Sequence, residues 1–185
     1  MPHIRDELTA GEWAVLALLA EGPTHGFAMA RAMEPEGEVG RVWSVRRPLV
    51  YRAVDTLTAR ELIRPAGTVA SRSGPARTIL EATPNGKRAL TRWLHQPVAH
   101  VRDARSMLML KLLFLSRRGA SPEPLLNAQR KRFANVAEGL STVADEAEGF
   151  DRALALWRLE STTAAIRFVE TMLAERARAD NGARR

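Results

Sequence analysis

Arg46, Arg47, Tyr51 and Arg52 crowd into one stretch, RVWSVRRPLVYRAVDTLTARELIRP (Arg41 to Pro65), which also holds Arg60, Arg64 and the only tyrosine of the chain. Guanidinium forks and a phenol suit phosphate oxygens and base edges rather than bond-breaking. Catalysis would need clustered acids, a poised nucleophile or spaced metal ligands. The four histidines (His3, His25, His95 and His100) do not supply them. His95 and His100 flank Pro97 in a linker, with no cysteine and no HExxH helix nearby, so solvated histidines are expected rather than a metal site. No GxGxxG or P-loop occurs, and GPTHG (Gly22 to Gly26) joins two helices rather than a strand and a helix. Neither an enzyme nor a cofactor is expected.

The charge is uneven. The net +7 of the 185 residues conceals a window, residues 41–92, with 11 basic and 3 acidic side chains. Residues 1–40 carry 2 basic and 7 acidic. All but Lys87 of the basic side chains in the window are arginine. A solvated basic surface is the bland reading and nucleic acid the functional one. The absence of cysteine removes disulfides and thiolate zinc sites and suits a reducing compartment. MPHIRDELTAGEW is not a signal peptide. MLMLKLLFL (Met107 to Leu115) contains a lysine and falls short of the roughly 20 residues a membrane span requires. These features predict a soluble cytoplasmic protein.

The elements that must position the arginines follow from local signals. Thr9 and Glu12 form a capping box, with Leu8 and Trp13 at staple positions, before the apolar helix WAVLALLA. Glu21-Gly22-Pro23 ends it. Thr24 is expected to cap a second helix, about Gly26 to Met33, and EPEGEVG (Glu34 to Gly40) is an acidic loop. A third helix is expected from Pro48 to Arg60, with Pro48 in its first turn. At 100° per residue Leu49, Val50, Ala53, Val54 and Leu57 form its inner side, and Arg47, Tyr51, Arg52, Asp55 and Thr58 its outer side. Asp55 is expected to order Arg52 or to accept from cytosine N4. A short strand at Leu62–Arg64, extended or restarted at Thr68–Val69, a turn SRSGPAR (Ser71 to Arg77) and a strand TILEA (Thr78 to Ala82) make a hairpin. Thr83-Pro84 opens a fourth helix, to about His95. Three helices followed by a hairpin make a winged helix-turn-helix, with Arg72 and Arg77 at the wing tip.

Gln96-Pro97 marks a boundary. Helices are expected at Arg102–Arg117, Pro122–Ala147 and Asp151–Ala179, followed by a disordered tail, residues 180–185. In the last helix Leu154, Trp157, Ala164, Phe168 and Met172 make an apolar stripe. An intrachain hairpin covers only part of such stripes, which invites a second copy of the chain. The expected fold class is mainly α with a small β-hairpin: a winged helix-turn-helix domain at 1–95 and a helical dimerisation domain at 96–179.

The chain resembles PadR-type transcriptional regulators, in their longer subtype with an all-α C-terminal domain. The resemblance rests on AVLALLAEGPTHGFAMARAM, VYRAVDTLTARELI and GPARTILEATPNGKRAL, in this order and spacing, over about residues 8–94. Tyr51 matches the tyrosine of the family's recognition helix, Gly74 the glycine of its wing, and Thr83, Pro84 and Gly86 the Thr-Pro-x-Gly that opens helix four. Arg46, Glu61 and Leu80 depart from it, standing where a small capping residue, a glycine and an aromatic are usual. The resemblance implies a homodimeric repressor relieved by a small molecule or a stress signal. MarR-like regulators share the topology but begin with a long dimerisation helix.

The expected DNA-binding residues are therefore Arg46, Arg47, Tyr51, Arg52, Arg72 and Arg77. The expected partners are double-stranded DNA, a second copy of the chain and a small apolar or aromatic effector, with a protein-interaction scaffold as the alternative. Trp93, Trp157 and Met107 are candidates to line an effector pocket, with ordinary core packing the preferred account of them.

Overall fold

A computed structural model describes residues 7–71 and 74–183. Its elements are α1 (Ala10–Glu21), β1 (Thr24–His25), α2 (Gly26–Ala32), α3 (Arg47–Ala59), β2 (Ile63–Ser71), β3 (Gly74–Ala82), α4 (Pro84–His95), α5 (Met109–Arg117), α6 (Glu123–Glu146) and α7 (Gly149–Ala183). The chain divides into two compact units. One takes in the chain up to Leu94 together with Met109–Arg118; the other comprises His95–Leu108 and the chain from Gly119 onward.

In the first unit, the α1 capping box is formed. Glu12 Oε2 accepts from the Thr9 backbone N–H at 2.6 Å, and Thr9 Oγ1 accepts from that of Glu12 at 3.3 Å. Ala14, Val15, Leu16, Ala17 and Leu19 are buried, as an all-round apolar helix requires. Around α1 lie α3, β3 and α5. The Trp13 ring stacks on Trp93 of α4 at 4.8 Å between centroids, so Trp93 is packed in the core of this unit.

The sheet is three-stranded and antiparallel, in the order β1-β3-β2. The two-residue β1 was not foreseen. Thr24 pairs with Leu80 and His25 with Ile79. Thr24 is consequently a strand residue, and the cap of α2 is His25, whose Nδ1 accepts from the Ala28 N–H at 3.1 Å. The wing strands are longer than the sequence suggests, nine residues each. A register shift at Pro65/Gly67 absorbs the proline, which cannot donate to the ladder, and a second shift lies at Val69/Ser71. Arg64 and Glu81, directly opposite, form a 2.7 Å ion pair.

At the end of α3, Glu61 takes a left-handed conformation, φ 56°, where the family pattern has glycine. Thr83 Oγ1 donates to the Glu61 carbonyl at 2.8 Å and accepts from the Gly86 N–H at 3.0 Å, capping α4 as expected. A Cβ on Gly86 would stand 2.0 Å from the Leu62 carbonyl oxygen, so glycine is obligatory at this crossing.

The expected helix Arg102–Arg117 is instead a 3-10 turn (Val101–Asp103), a π turn (Ala104–Leu108) and α5. α5 belongs to the winged-helix unit rather than to the C-terminal domain where the boundary at 96 put it. It buries Leu110, Phe114 and Leu115 there. Arg117 grips the Glu21 carboxylate with two N–H groups, at 2.8 and 2.7 Å, and also bonds Glu38. These bonds hold Glu38 below the usual carboxylate range and raise Arg117 further. Lys111 is only 3% exposed and lies 4.9 Å from the Trp93 ring centroid. Burial pushes its ammonium down to about 8.

In the second unit α6 and α7 form an antiparallel hairpin, about 36 and 52 Å long at ~1.5 Å per residue. Leu125, Leu126, Gln129 and Phe133 of α6 are buried. The Gln129 amide pairs with both backbone groups of Val98, accepting at 2.7 Å and donating at 3.1 Å. Arg152 donates to the Ala144 carbonyl at the end of α6. The buried line of α7 is Ala155, Thr162 and Val169. Of the apolar stripe singled out from the sequence, Leu154 and Met172 are half-buried, whereas Trp157, 72% exposed, Ala164 and Phe168 are exposed, as is Phe150 at the helix start, 80%. α7 continues to Ala183, beyond the position 180 at which a tail was expected. Among the described residues no helix is long and apolar enough to cross a membrane.

Candidate nucleic-acid interface

α3 forms because Pro48 fits its first turn and Val50, Ala53 and Leu57 recur on one side, where all three are buried. Val54 is half-buried and Leu49, expected inside, is 48% exposed at the helix entrance. The opposite side presents Arg47, Tyr51, Arg52 and Asp55 to solvent. Arg46 is the N-cap, exposed, and its side chain makes no capping bond. Asp55 does not order Arg52 through an ion pair. Among the described residues no carboxylate pairs with Arg46, Arg47, Arg52 or Arg77. Arg72 lies outside the described residues.

Phe27 connects the helix to the wing. The guanidinium carbons of Arg47 and Arg77 each lie 5.0 Å from the Phe27 ring centroid, and that of Arg47 is 6.0 Å from the Tyr51 centroid. An aromatic face attracts a guanidinium through its quadrupole. The ring therefore gathers an α3 arginine and a β3 arginine on one surface. Gly26 makes room for this arrangement, since a Cβ there would meet Tyr51 Cε1 at 2.7 Å. His25 contributes as well: its Nε2 lies 3.4 Å from Arg77 Nη1.

Of the residues singled out from the sequence, the structure brings Arg47, Tyr51 and Arg77 together around Phe27. Arg52 shares the outer face of α3 without joining the cluster, and Arg46 sits at its entrance. His25 and Phe27 escaped the reading of the sequence. Their signal is THGF, a glycine between two rings at a helix start, whereas the sequence reading weighs GPTHG as a phosphate loop and Thr24 as the helix cap. Trp157 and Met107 belong to the second unit and Trp93 to the first. An open groove of about 690 Å³ lies elsewhere on the first unit, lined by Lys87, Thr91, Arg117 and Arg118. It contains none of the α3 or wing arginines and carries no part of this site. Among the described residues no cluster of metal-ligating side chains occurs.

Residues 15–92 match the model of the transcriptional regulator PadR-like family. Among solved structures, Bacillus subtilis PadR in complex with operator DNA is similar at 22% identity, covering 92% of this chain and 99% of that one, with a TM-score of 0.45. The same protein alone gives 22% identity, 92% and 97% coverage, and 0.39. The Vibrio cholerae virulence activator AphA gives 19% identity, 91% and 99% coverage, and 0.36. No curated protein matches. The winged helix of the first unit spans the matched segment, so over residues 15–92 the chain is similar to the transcriptional regulator PadR-like family.

Proposed function

We propose that the chain is a sequence-specific regulator that binds duplex DNA as a homodimer and represses by occupying a pseudo-palindromic operator. The observation that carries this reading is the shared exposed surface of Arg47, Tyr51 and Arg77, none of the arginines spent on a carboxylate among the described residues. A major groove admits one α-helix, and arginine reads guanine edges bidentately. Tyr51 donates its hydroxyl to a phosphate, and Arg46, Arg77 and Arg72 contact the flanking backbone.

The second copy is supported by α7. Its inner line, Ala155, Thr162 and Val169, is covered by α6, while Phe150, Trp157, Ala164 and Phe168 are left exposed. Two copies sealing these stripes would carry two winged helices to half-sites one turn, about 34–36 Å, or a multiple apart. Release by a small apolar or aromatic effector completes the proposed cycle, which operates in the cytoplasm.

Titration of duplex DNA against salt tests the reading. Neutralising ~6–10 phosphates makes affinity fall ~10³–10⁵-fold between about 50 and 200 mM salt. A flat response sinks it and favours the scaffold alternative. A footprint upstream of the chain's own gene would locate the operator.

A further inference from the structure

His25 presents a conflict of donors. A neutral imidazole has one N–H and one lone pair. Its Nδ1 lone pair accepts the Ala28 N–H at the start of α2. The proton must then sit on Nε2, and Nε2–H faces Arg77 Nη1, 3.4 Å away. Arginine has donors only, so this second contact is not a hydrogen bond. The 3.1 Å backbone cap keeps its hydrogen bond because its donor cannot turn away, and it fixes the tautomer. Two N–H groups are left side by side at the surface, where both can donate to one acceptor.

The surroundings hold this pair rather than relax it. His25 pairs with Ile79 in the sheet, which makes Arg77, two residues along β3, its diagonal neighbour on the same face. Phe27 anchors the Arg77 guanidinium from the other element and gathers Arg47 beside it. Like charges drawn around one ring repel each other unless an anion lies among them.

We propose that His25 Nε2–H and the Arg77 guanidinium together bind one phosphodiester oxygen of the DNA backbone, with Phe27 as the platform that holds Arg77 and Arg47 at that phosphate. The proposal rests on the DNA-binding reading and adds His25 and Phe27 to it. The pair fixes the wing against the backbone and reads no base, so it sets register and affinity rather than sequence preference.

His25→Asn is the informative variant. Asparagine is a strong helix cap, so α2 keeps its first hydrogen bond, while the Nε2–H is lost. The full chain and the variant are titrated with the selected operator and with operators in which single phosphates are replaced by neutral methylphosphonates. Loss of one neutral donor is expected to weaken every duplex by roughly 3–10-fold. Arg77→Ala should also lower the salt slope by about 1. At one methylphosphonate position per half-site His25→Asn should cause no further loss. Wild-type affinity in the variant, or a loss that persists at every position, overturns the proposal.

Ring ¹⁵N spectra of His25 supply the second arm, with inorganic phosphate as the free-anion probe. A protonated Nε2 that shifts with operator DNA is expected. A proton on Nδ1 overturns the proposal, and so does a shift with inorganic phosphate but none with DNA. If the chain binds no duplex at all, the DNA-binding reading fails on its own. The phosphate titration then judges the donor pair, and an unmoved His25 ring overturns it.

Discussion

The ring of Tyr51 lies so close over Gly26 that a Cβ there would stand 2.7 Å from Cε1 and 3.2 Å from Cζ. A residue of α3 is thereby positioned by the first residue of α2. Because Tyr51 is 41% exposed, its ring can swing away when crowded. Gly26→Ala should cost less than about 1 kcal/mol of stability, within the usual range for a surface change. It should nevertheless weaken DNA binding about tenfold, because the displaced ring leaves the face it shares with Arg47. Thermal melting beside operator titration checks this. A large melting loss with unchanged affinity would show that the contact serves packing alone.

Arg52→Ala and Tyr51→Phe should behave differently. Arg52 projects from the middle of the outer face of α3. If it is bidentate to guanine, its loss costs ~1–3 kcal/mol and relaxes preference at one base pair per half-site. Tyr51→Phe removes one hydroxyl and should weaken all duplexes about equally. Selection from a randomised operator pool separates the two. Equal, sequence-blind losses would make Arg52 a phosphate contact.

Glu61→Gly should stabilise the protein. The left-handed backbone at Glu61 costs a side-chain-bearing residue roughly 1–2 kcal/mol, which glycine avoids. Glycine returns about 0.4–1 kcal/mol through the freer unfolded chain. The net gain should be about 0.5–1 kcal/mol in denaturant unfolding, with operator affinity unchanged.

These positions also show which signals were local enough to read. The Thr9–Glu12 box, Pro48 in the first turn of α3, its buried Val50–Ala53–Leu57 side and the Thr83–Gly86 cap each involve residues a few positions apart, and the structure has them all. What escaped reading depends on distant chain segments. β1 exists only because β3 lies beside it. Whether His25 caps depends on that strand ending at His25. α5 reads as the end of a helix Arg102–Arg117 of the C-terminal domain until α1 is seen to need a cover. The apolar stripe of α7 is split in the structure, with Leu154 and Met172 half-buried and Trp157, Ala164 and Phe168 exposed, because sequence cannot say which of two apolar lines faces α6. The arginines are legible as a charged group, whereas Phe27, which gathers two of them, reads by itself as core.

Lys111→Met should raise stability at neutral pH. Burial lowers the Lys111 ammonium to about 8 from 10.5. Attraction to the Trp93 ring, ~0.5–2 kcal/mol, opposes burial and does not outweigh it. Between pH 8 and 10.5 the unfolded chain binds more protons at this residue than the folded one, so its contribution to stability rises with pH through that window. Below the window lysine is charged in both states and the burial cost is fully present. The variant should therefore exceed the wild type by about 1–3 kcal/mol at pH 7, and the gap should close towards pH 10.5. Urea unfolding at a series of pH values measures it. A gap that widens with pH would mean that Lys111 is stabilised as the cation.

The position of α5 changes where the chain can be cut. A fragment ending at residue 95 lacks Leu110, Phe114 and Leu115, which are buried in the winged-helix unit, and the Arg117 grip on Glu21. Each large buried side chain removed costs ~2–5 kcal/mol. That fragment should melt at least about 10 °C below one ending at Arg118, since about 1 kcal/mol moves a domain of this size by ~4–8 °C. The longer fragment keeps the interface of α3 and the wing but lacks α6 and α7. If those helices join two copies, it should sediment as a monomer and bind operator ~10²–10⁴-fold more weakly than the full chain, because the second half-site is no longer an intramolecular contact. It should also be indifferent to 5 base pairs inserted between half-sites, about half a helical turn, whereas the full chain should not tolerate them. In the full chain, Trp157→Glu places a charge on the exposed stripe of α7 and should reproduce the fragment's behaviour without lowering α6–α7 helicity. A full chain that sediments as a monomer, or a Trp157→Glu variant that remains dimeric and spacing-sensitive, would remove α7 from the proposed dimer contact.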